Sequence, residues 1–205
     1  MNQDRKIEFK KWILSKLFKG KHPVNKDVKV PFVVKLISSG FYTGFFPIAP
    51  GTAGSLLGAF IFYLPGFSET SVMLISISAV FIAGVFCSEL MRKRYGPDPP
   101  VVVIDEIVGL WITYLVASFI FDNFFDAKSL DPTTIRPTKV AFVLIGLVVF
   151  RFFDVFKIQP AVYFDEMDNG YGIMIDDVIS GIYAGIITSV VTHFLWFKFL
   201  IKYFY

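Results

Sequence analysis

The chain has 205 residues, 55% of them hydrophobic and 18% charged, with a mean hydropathy of +0.61. Soluble domains run at about 45–50% apolar and about 25% charged, so this composition excludes an ordinary soluble domain and points to the membrane class. The net charge of +3 hides a division: residues 1–35 carry ten lysines and arginines against Asp4, Glu8 and Asp27, a net +7, which leaves −4 for the remainder.

The basic extension 1–35 comes first in chain order. A basic tail ahead of apolar spans favours the cytoplasmic side and anionic lipid headgroups. No aromatic-interleaved basic groove follows it, which argues against nucleic acid as a partner. No clean apolar core follows the early charges either, so it is not read as a cleavable signal peptide. Within it, residues 7–18 set Ile7, Phe9, Trp12, Ile13, Leu14, Leu17 and Phe18 among lysines and predict a short amphipathic helix lying on the membrane.

Residues 36–205 read as one membrane-embedded domain with five apolar segments, at about 53–66, 71–91, 105–121, 138–157 and 177–201. The predicted fold is therefore all-α, a polytopic membrane helical bundle of four to five membrane segments. The first segment falls short of the roughly 20 apolar residues of a full span, so it is extended by the preceding loop or buried among neighbours. With the tail in the cytoplasm, the second segment returns to leave Arg92-Lys93-Arg94 there, as the positive-inside bias predicts. The third then starts on that side with Asp105-Glu106, the fourth brings back Arg151, Asp154 and Lys157, and the fifth leaves from Asp176-Asp177. Lys198 and Lys202 end up on the far side, against the trend. Cys87, the single cysteine, lies inside the second segment as a small packing residue, and it excludes an intrachain disulfide or a cysteine metal site.

Charges in such segments mark a functional site unless they only pair and snorkel. Arg151, Asp154 and Lys157 are spaced three apart and share one helix face. Asp105-Glu106 and Asp176-Asp177 are placed at the first turns of their helices, where free amides favour a carboxylate. One acid per helix start is ordinary capping; two adjacent acids at both starts are not. Gly109, one turn past Asp105, and Gly181 and Gly185, one and two turns past Asp177, would let the helices approach and bring the acids together. With Asp154 that makes five carboxylates against two cations, an all-oxygen set suited to magnesium or manganese.

Residues 40–55 form a turn-rich loop with Gly40, Gly44, Pro47, Pro50, Gly51 and Gly54. Pro50-Gly51-Thr52 leads into a helix whose free amides, with the hydroxyl of Thr52 or Ser55, can hold a phosphate; the same glycines also suit a re-entrant loop that only packs tightly. The Gly-Lys-Ser/Thr ending of a Walker loop is missing. No Asp-x-Asp frame for an aspartyl-phosphate occurs, and His22 and His193 lie in the tail and in the far half of the last span. Water activated by a metal and attacking a phosphoryl group uses all the parts.

Four blocks, in order and spacing, resemble the phosphatidylglycerophosphatase A family: Gly40 to Ser55 with its Pro-x-x-Pro-Gly-Thr-x-Gly-Ser core, Asp105-Glu106-x-x-Gly109, Arg151-x-x-Asp154-x-x-Lys157, and Gly172-Ile-Met-x-Asp176-Asp177 with Gly181. The resemblance spans residues 36–188 or so and implies a magnesium-dependent membrane phosphatase of the bacterial cytoplasmic membrane. Its substrate would be phosphatidylglycerophosphate, its product phosphatidylglycerol, and its active site would face the cytoplasm. Asp105, Glu106, Asp154, Asp176 and Asp177 would be metal ligands, with Asp105, Glu106, Asp154 and Asp177 the catalytic acids. Arg151, Lys157, Thr52 and Ser55 would bind the substrate phosphate. Tyr42, Ile158, Ala161 and Asn169 depart from residues usual in the family, a glycine at 42 and a second glycine at 169 among them. Three rival readings stand beside this one: a phosphatase of another lipid phosphomonoester, a transporter using the same charges, and a scaffold. No inverted repeat supports the transporter, and the scaffold leaves the paired acids unused.

Overall fold

The computed structural model describes residues 23–124 and 132–195, and among these residues every regular element is helical, with no strand. The helices are α1 (Phe32–Ser38), α2 (Pro50–Tyr63), α3 (Thr70–Tyr95), α4 (Ile104–Phe124), α5 (Pro132–Val155), α6 (Ala161–Asp165) and α7 (Gly170–Leu195), with a 3-10 turn at Thr43–Phe45. The expected amphipathic helix at 7–18, His22, Lys198 and Lys202 lie outside the described residues. Three helices, α3, α4 and α7, are long and apolar enough to cross a membrane. At 14 residues α2 is too short for that, and α5 has the length but carries charge towards both ends.

Helix α4 is the axis of the bundle. It is apolar on every side, and a helix of that kind has to be enclosed. The helices α2, α3, α5 and α7 all pack on it, leaving Val108, Leu110, Trp111 and Tyr114 buried. Two of its polar side chains are matched inside: the Trp111 indole N–H donates to the Gly58 carbonyl and the Tyr114 hydroxyl to the Val143 carbonyl, each at 2.9 Å. The outer helices turn the opposite way and expose Phe60, Ile75, Phe86, Val148 and Phe194. An apolar exterior around a buried apolar centre is the arrangement expected in lipid and not in water.

The contacts fix the helix directions. Gly54 and Gly58 of α2 lie against Val103 and Ile107, and Gly181 and Gly185 of α7 against Gly109 and Val116, so α2, α4 and α7 run parallel. In α5, Phe150 meets Gly109 while Gly146 meets Tyr114, so it runs antiparallel to α4; Gly170 at the start of α7 lies against Val85 and Glu89 near the end of α3. The alternation expected from the charges is therefore present. Asp105 and Glu106, Arg151 and Asp154, and Asp176 and Asp177 all fall at one end of the bundle.

One expectation is corrected. The last helix does not begin at Asp176-Asp177 but at Gly170, so these acids sit in its second turn and cap nothing. The Asn169 side-chain oxygen accepts from the Gly172 amide at 2.8 Å, and Glu89 of α3 accepts from the Gly170 amide at 2.9 Å. The start of α7 is thus held by a cap and by a neighbouring helix. Gly-Tyr-Gly reads as a loop by propensity, yet a Cβ at Gly172 would lie 2.6 Å from that of Met167. Both glycines are in the helix because their neighbours leave no room.

Candidate metal and phosphate site

The site is built on the crossing of α4 and α7. A Cβ on Gly181 would collide with the Gly109 carbonyl oxygen, and one on Gly109 would lie 2.7 Å from the Asp177 carbonyl oxygen. The Thr113 hydroxyl reaches the carbonyls of both Gly109 (3.0 Å) and Gly181 (3.2 Å), tying the two backbones together. Only glycine permits this approach. Its result is that Asp105 and Glu106, in the first turn of α4, stand beside Asp177 of α7.

One carboxylate oxygen from each of Asp105, Glu106 and Asp177 lies within 4.8 Å of the other two, and these residues are 3%, 4% and 2% exposed. Carboxylates so close and so buried repel one another unless a cation joins them. A small divalent ion with ligand oxygens about 2.1 Å away keeps those oxygens roughly 3–4 Å apart, so the spacing suits one. The Glu106 Oε2 atom is buried and has no hydrogen-bond partner among the described residues. A buried acceptor left in that state fits a ligand position.

The other two acids are placed differently. Asp154 makes an ion pair with Arg151 at 2.6 Å, and the same guanidinium nitrogen lies 3.9 Å from Glu106. Asp176 accepts from the Lys157 ammonium through one oxygen and from the Asp177 amide, at 2.9 Å, through the other. The five acids therefore separate into a converging trio and two that hold the cations. Lys157 also donates to Asp165 at 2.6 Å, a residue for which sequence reasoning gave no signal beyond its carboxylate, eight positions on. Glu89, Arg92 and Asp168 were missed too: Arg92 joins Glu89 (3.1 Å) to Asp168 (2.5 Å) and so fastens the end of α3 to the segment before α7.

The glycine-rich loop reaches the site at one point. A Cβ on Gly51 would meet the Glu106 carboxylate and, at 3.1 Å, the Arg151 guanidinium. Thr52, next to it, is half-buried in the first turn of α2, whereas the Ser55 hydroxyl is buried and donates to the Gly51 carbonyl at 2.9 Å. The loop is wound through left-handed backbone at Gly40, Phe41, Tyr42 and Ala49. Tyr42, with φ of +69°, shows why glycine suits that position. At Ala49 (φ +49°, ψ +61°) the side chain is exposed and contributes no cap to α2. We expect Ala49→Gly to raise stability by about 1 kcal/mol, by removing left-handed strain at a position where glycine caps better than alanine. Thermal unfolding in detergent checks this, and an unchanged or lower Tm would contradict it.

The model of the phosphatidylglycerophosphatase A family matches residues 36–192. A Haemophilus influenzae protein named phosphatidylglycerophosphatase A is 31% identical over 176 residues, covering 83% of this chain and 95% of that protein. An Escherichia coli protein of the same name is 32% identical over 178 residues, covering 83% and 93%. A Bacteroides thetaiotaomicron protein, provisionally named a phosphatidylinositol-3-phosphatase, is 32% identical over 164 residues, covering 78% and 93%. No solved structure matches the chain.

Proposed function

The chain belongs to the phosphatidylglycerophosphatase A family, and from that premise we propose that it hydrolyses phosphatidylglycerophosphate to phosphatidylglycerol and phosphate at a magnesium site. The observation that carries this reading is the convergence of buried Asp105, Glu106 and Asp177 beside Arg151. These three side chains would hold the ion. When bound, magnesium supplies Lewis-acid polarisation of the attacking water and of the phosphoryl group. Arg151 and Lys157 neutralise the phosphoryl oxygens, and the amides around Thr52 assist at the start of α2. Asp154 holds Arg151 in place; Asp176 does the same for Lys157 and, through its second oxygen, for the Asp177 backbone. A trio carboxylate would take the proton of the attacking water as its oxygen bonds to phosphorus and the ester bond to the glycerol oxygen breaks. That proton then passes to the leaving oxygen, which departs as the alcohol, with phosphate the other product.

We place the protein in a bacterial cytoplasmic membrane, with α2 and α5 completing a bundle of five membrane segments. The active site faces the cytoplasm on this reading, because the acids share their end of the bundle with Arg92-Lys93-Arg94 and the basic extension would follow. The extension would rest on anionic headgroups. The Bacteroides relative keeps a second substrate in view, phosphatidylinositol 3-phosphate.

Phosphate release from a detergent-solubilised panel of phosphatidylglycerophosphate, phosphatidylinositol 3-phosphate and phosphatidate tests the proposal. Release is expected chiefly from the first, to stop with EDTA and to return with magnesium. Release that is indifferent to EDTA would remove the metal from the mechanism, and preference for another lipid would replace the substrate.

A further inference from the structure

We propose that Asp165, on the short helix α6, is a positioning residue for the reaction, acting through Lys157. The inference rests on the phosphatase reading above and adds a residue to it. Lys157 follows the end of α5, and its side chain is only 9% exposed. Its ammonium is taken by two carboxylates from two different elements, Asp165 Oδ1 at the end of α6 (2.6 Å) and Asp176 Oδ2 in α7. A lysine is a point charge on a flexible four-carbon stem, so one partner leaves it a swing and two partners from different directions fix it.

Charge balance alone does not account for Asp165. Asp176 already neutralises Lys157, and the surroundings hold an excess of acids. A further carboxylate there repels an anionic phosphate, a cost that is offset only if it sets where the ammonium stands when the phosphate arrives. The supports of Asp165 are themselves firm. Ala161, at the start of α6, is fully buried, and the Phe164 carbonyl lies so close to Gly172 of α7 that a Cβ there would be 2.7 Å away. Asp165 and Asp176 also line a common cavity of about 100 Å³ with Asp98, Met167 and Ile173.

The test is a double-mutant cycle on the full chain, with kcat and KM measured separately. Asp165→Asn is expected to lower kcat about 10–100-fold, the range for residues that orient a working group, with KM changed by less than about threefold. Asp165→Glu should recover most of the loss. In a Lys157→Met background, Asp165→Asn should have less than about a twofold further effect. A full additional loss in that background, a loss seen only in KM, or no recovery by glutamate would overturn the inference. Should Lys157→Met leave no measurable turnover, the kcat–KM split and the glutamate recovery decide alone. Should Asp165→Asn fail to fold, Asp165→Ser takes its place in the cycle. The cycle is run on whichever lipid of the panel the wild type cleaves. Cleavage of another lipid only would fail the proposed substrate while leaving Asp165 under test, and no cleavage of any would end both.

Discussion

Asp177→Asn is expected to abolish turnover, lowering kcat by more than about 100-fold, the ceiling for residues that only orient a ligand. The substitution keeps shape and removes one of three converging charges. Its effect on stability should have the opposite sign. Without a cation, three buried carboxylates repel, so the asparagine form should melt at the same temperature as the wild type or higher in EDTA. Magnesium should raise the Tm of the wild type, because it binds the folded state, and should raise that of the variant much less. Asp154→Asn provides the contrast. Its carboxylate is paired with Arg151 and is not among the three that converge, so it should lower kcat less than Asp177→Asn and leave a magnesium shift in Tm. Activity of Asp177→Asn within tenfold of wild type would sink the metal assignment.

The second large effect is expected at the helix crossing. Gly181→Ala puts a methyl group into the Gly109 carbonyl, where backbone and not a movable side chain must yield. Overpacking of this kind costs about 1–3 kcal/mol. The relief available is for α7 to move away from α4, carrying Asp177 from Asp105 and Glu106. A misplacement of about 1 Å can cost about 100-fold in rate, so kcat should fall by that order along with the Tm. Gly58→Ala is the control. There a Cβ would lie 3.4 Å or more from its neighbours, an ordinary contact, and the alanine should be neutral or stabilising in a helix. Equal effects of the two substitutions on kcat would show that the crossing does not set the site.

Local chemistry was legible in the sequence, and distant pairing was not. Asp105 and Glu106 could be placed because two acids before an apolar run with Gly109 following state their own position in a helix. Gly181 could be read as a point of close approach for the same reason. The start of α7 could not, because Gly170 and Gly172 are poor helix formers whose use depends on Val85, Glu89, Phe164 and Met167. Nor could the division of the acids. Nothing in Arg151-x-x-Asp154-x-x-Lys157 says that the lysine reaches Asp165 and Asp176, since these partners are fixed by where α6 and α7 arrive.

The shortness of α2 has a consequence for the bilayer itself. Fourteen residues of helix span about 21 Å, against about 39 Å for the 26 residues of α3 and α7 and a hydrocarbon core of about 30 Å. This helix stands at the perimeter, with Leu56 and Phe60 outward, and at its far end the Lys139 ammonium lies over the rings of Phe62 and Tyr63. In a bilayer, a cation at that depth would draw headgroups and water inward and thin the lipid beside α2. Hydrophobic mismatch of this kind costs fractions of a kcal/mol per Å, and it falls as acyl chains shorten. Bilayer thickness would thereby become a variable of the enzyme, with short-chain membranes the ones expected to fit its flank.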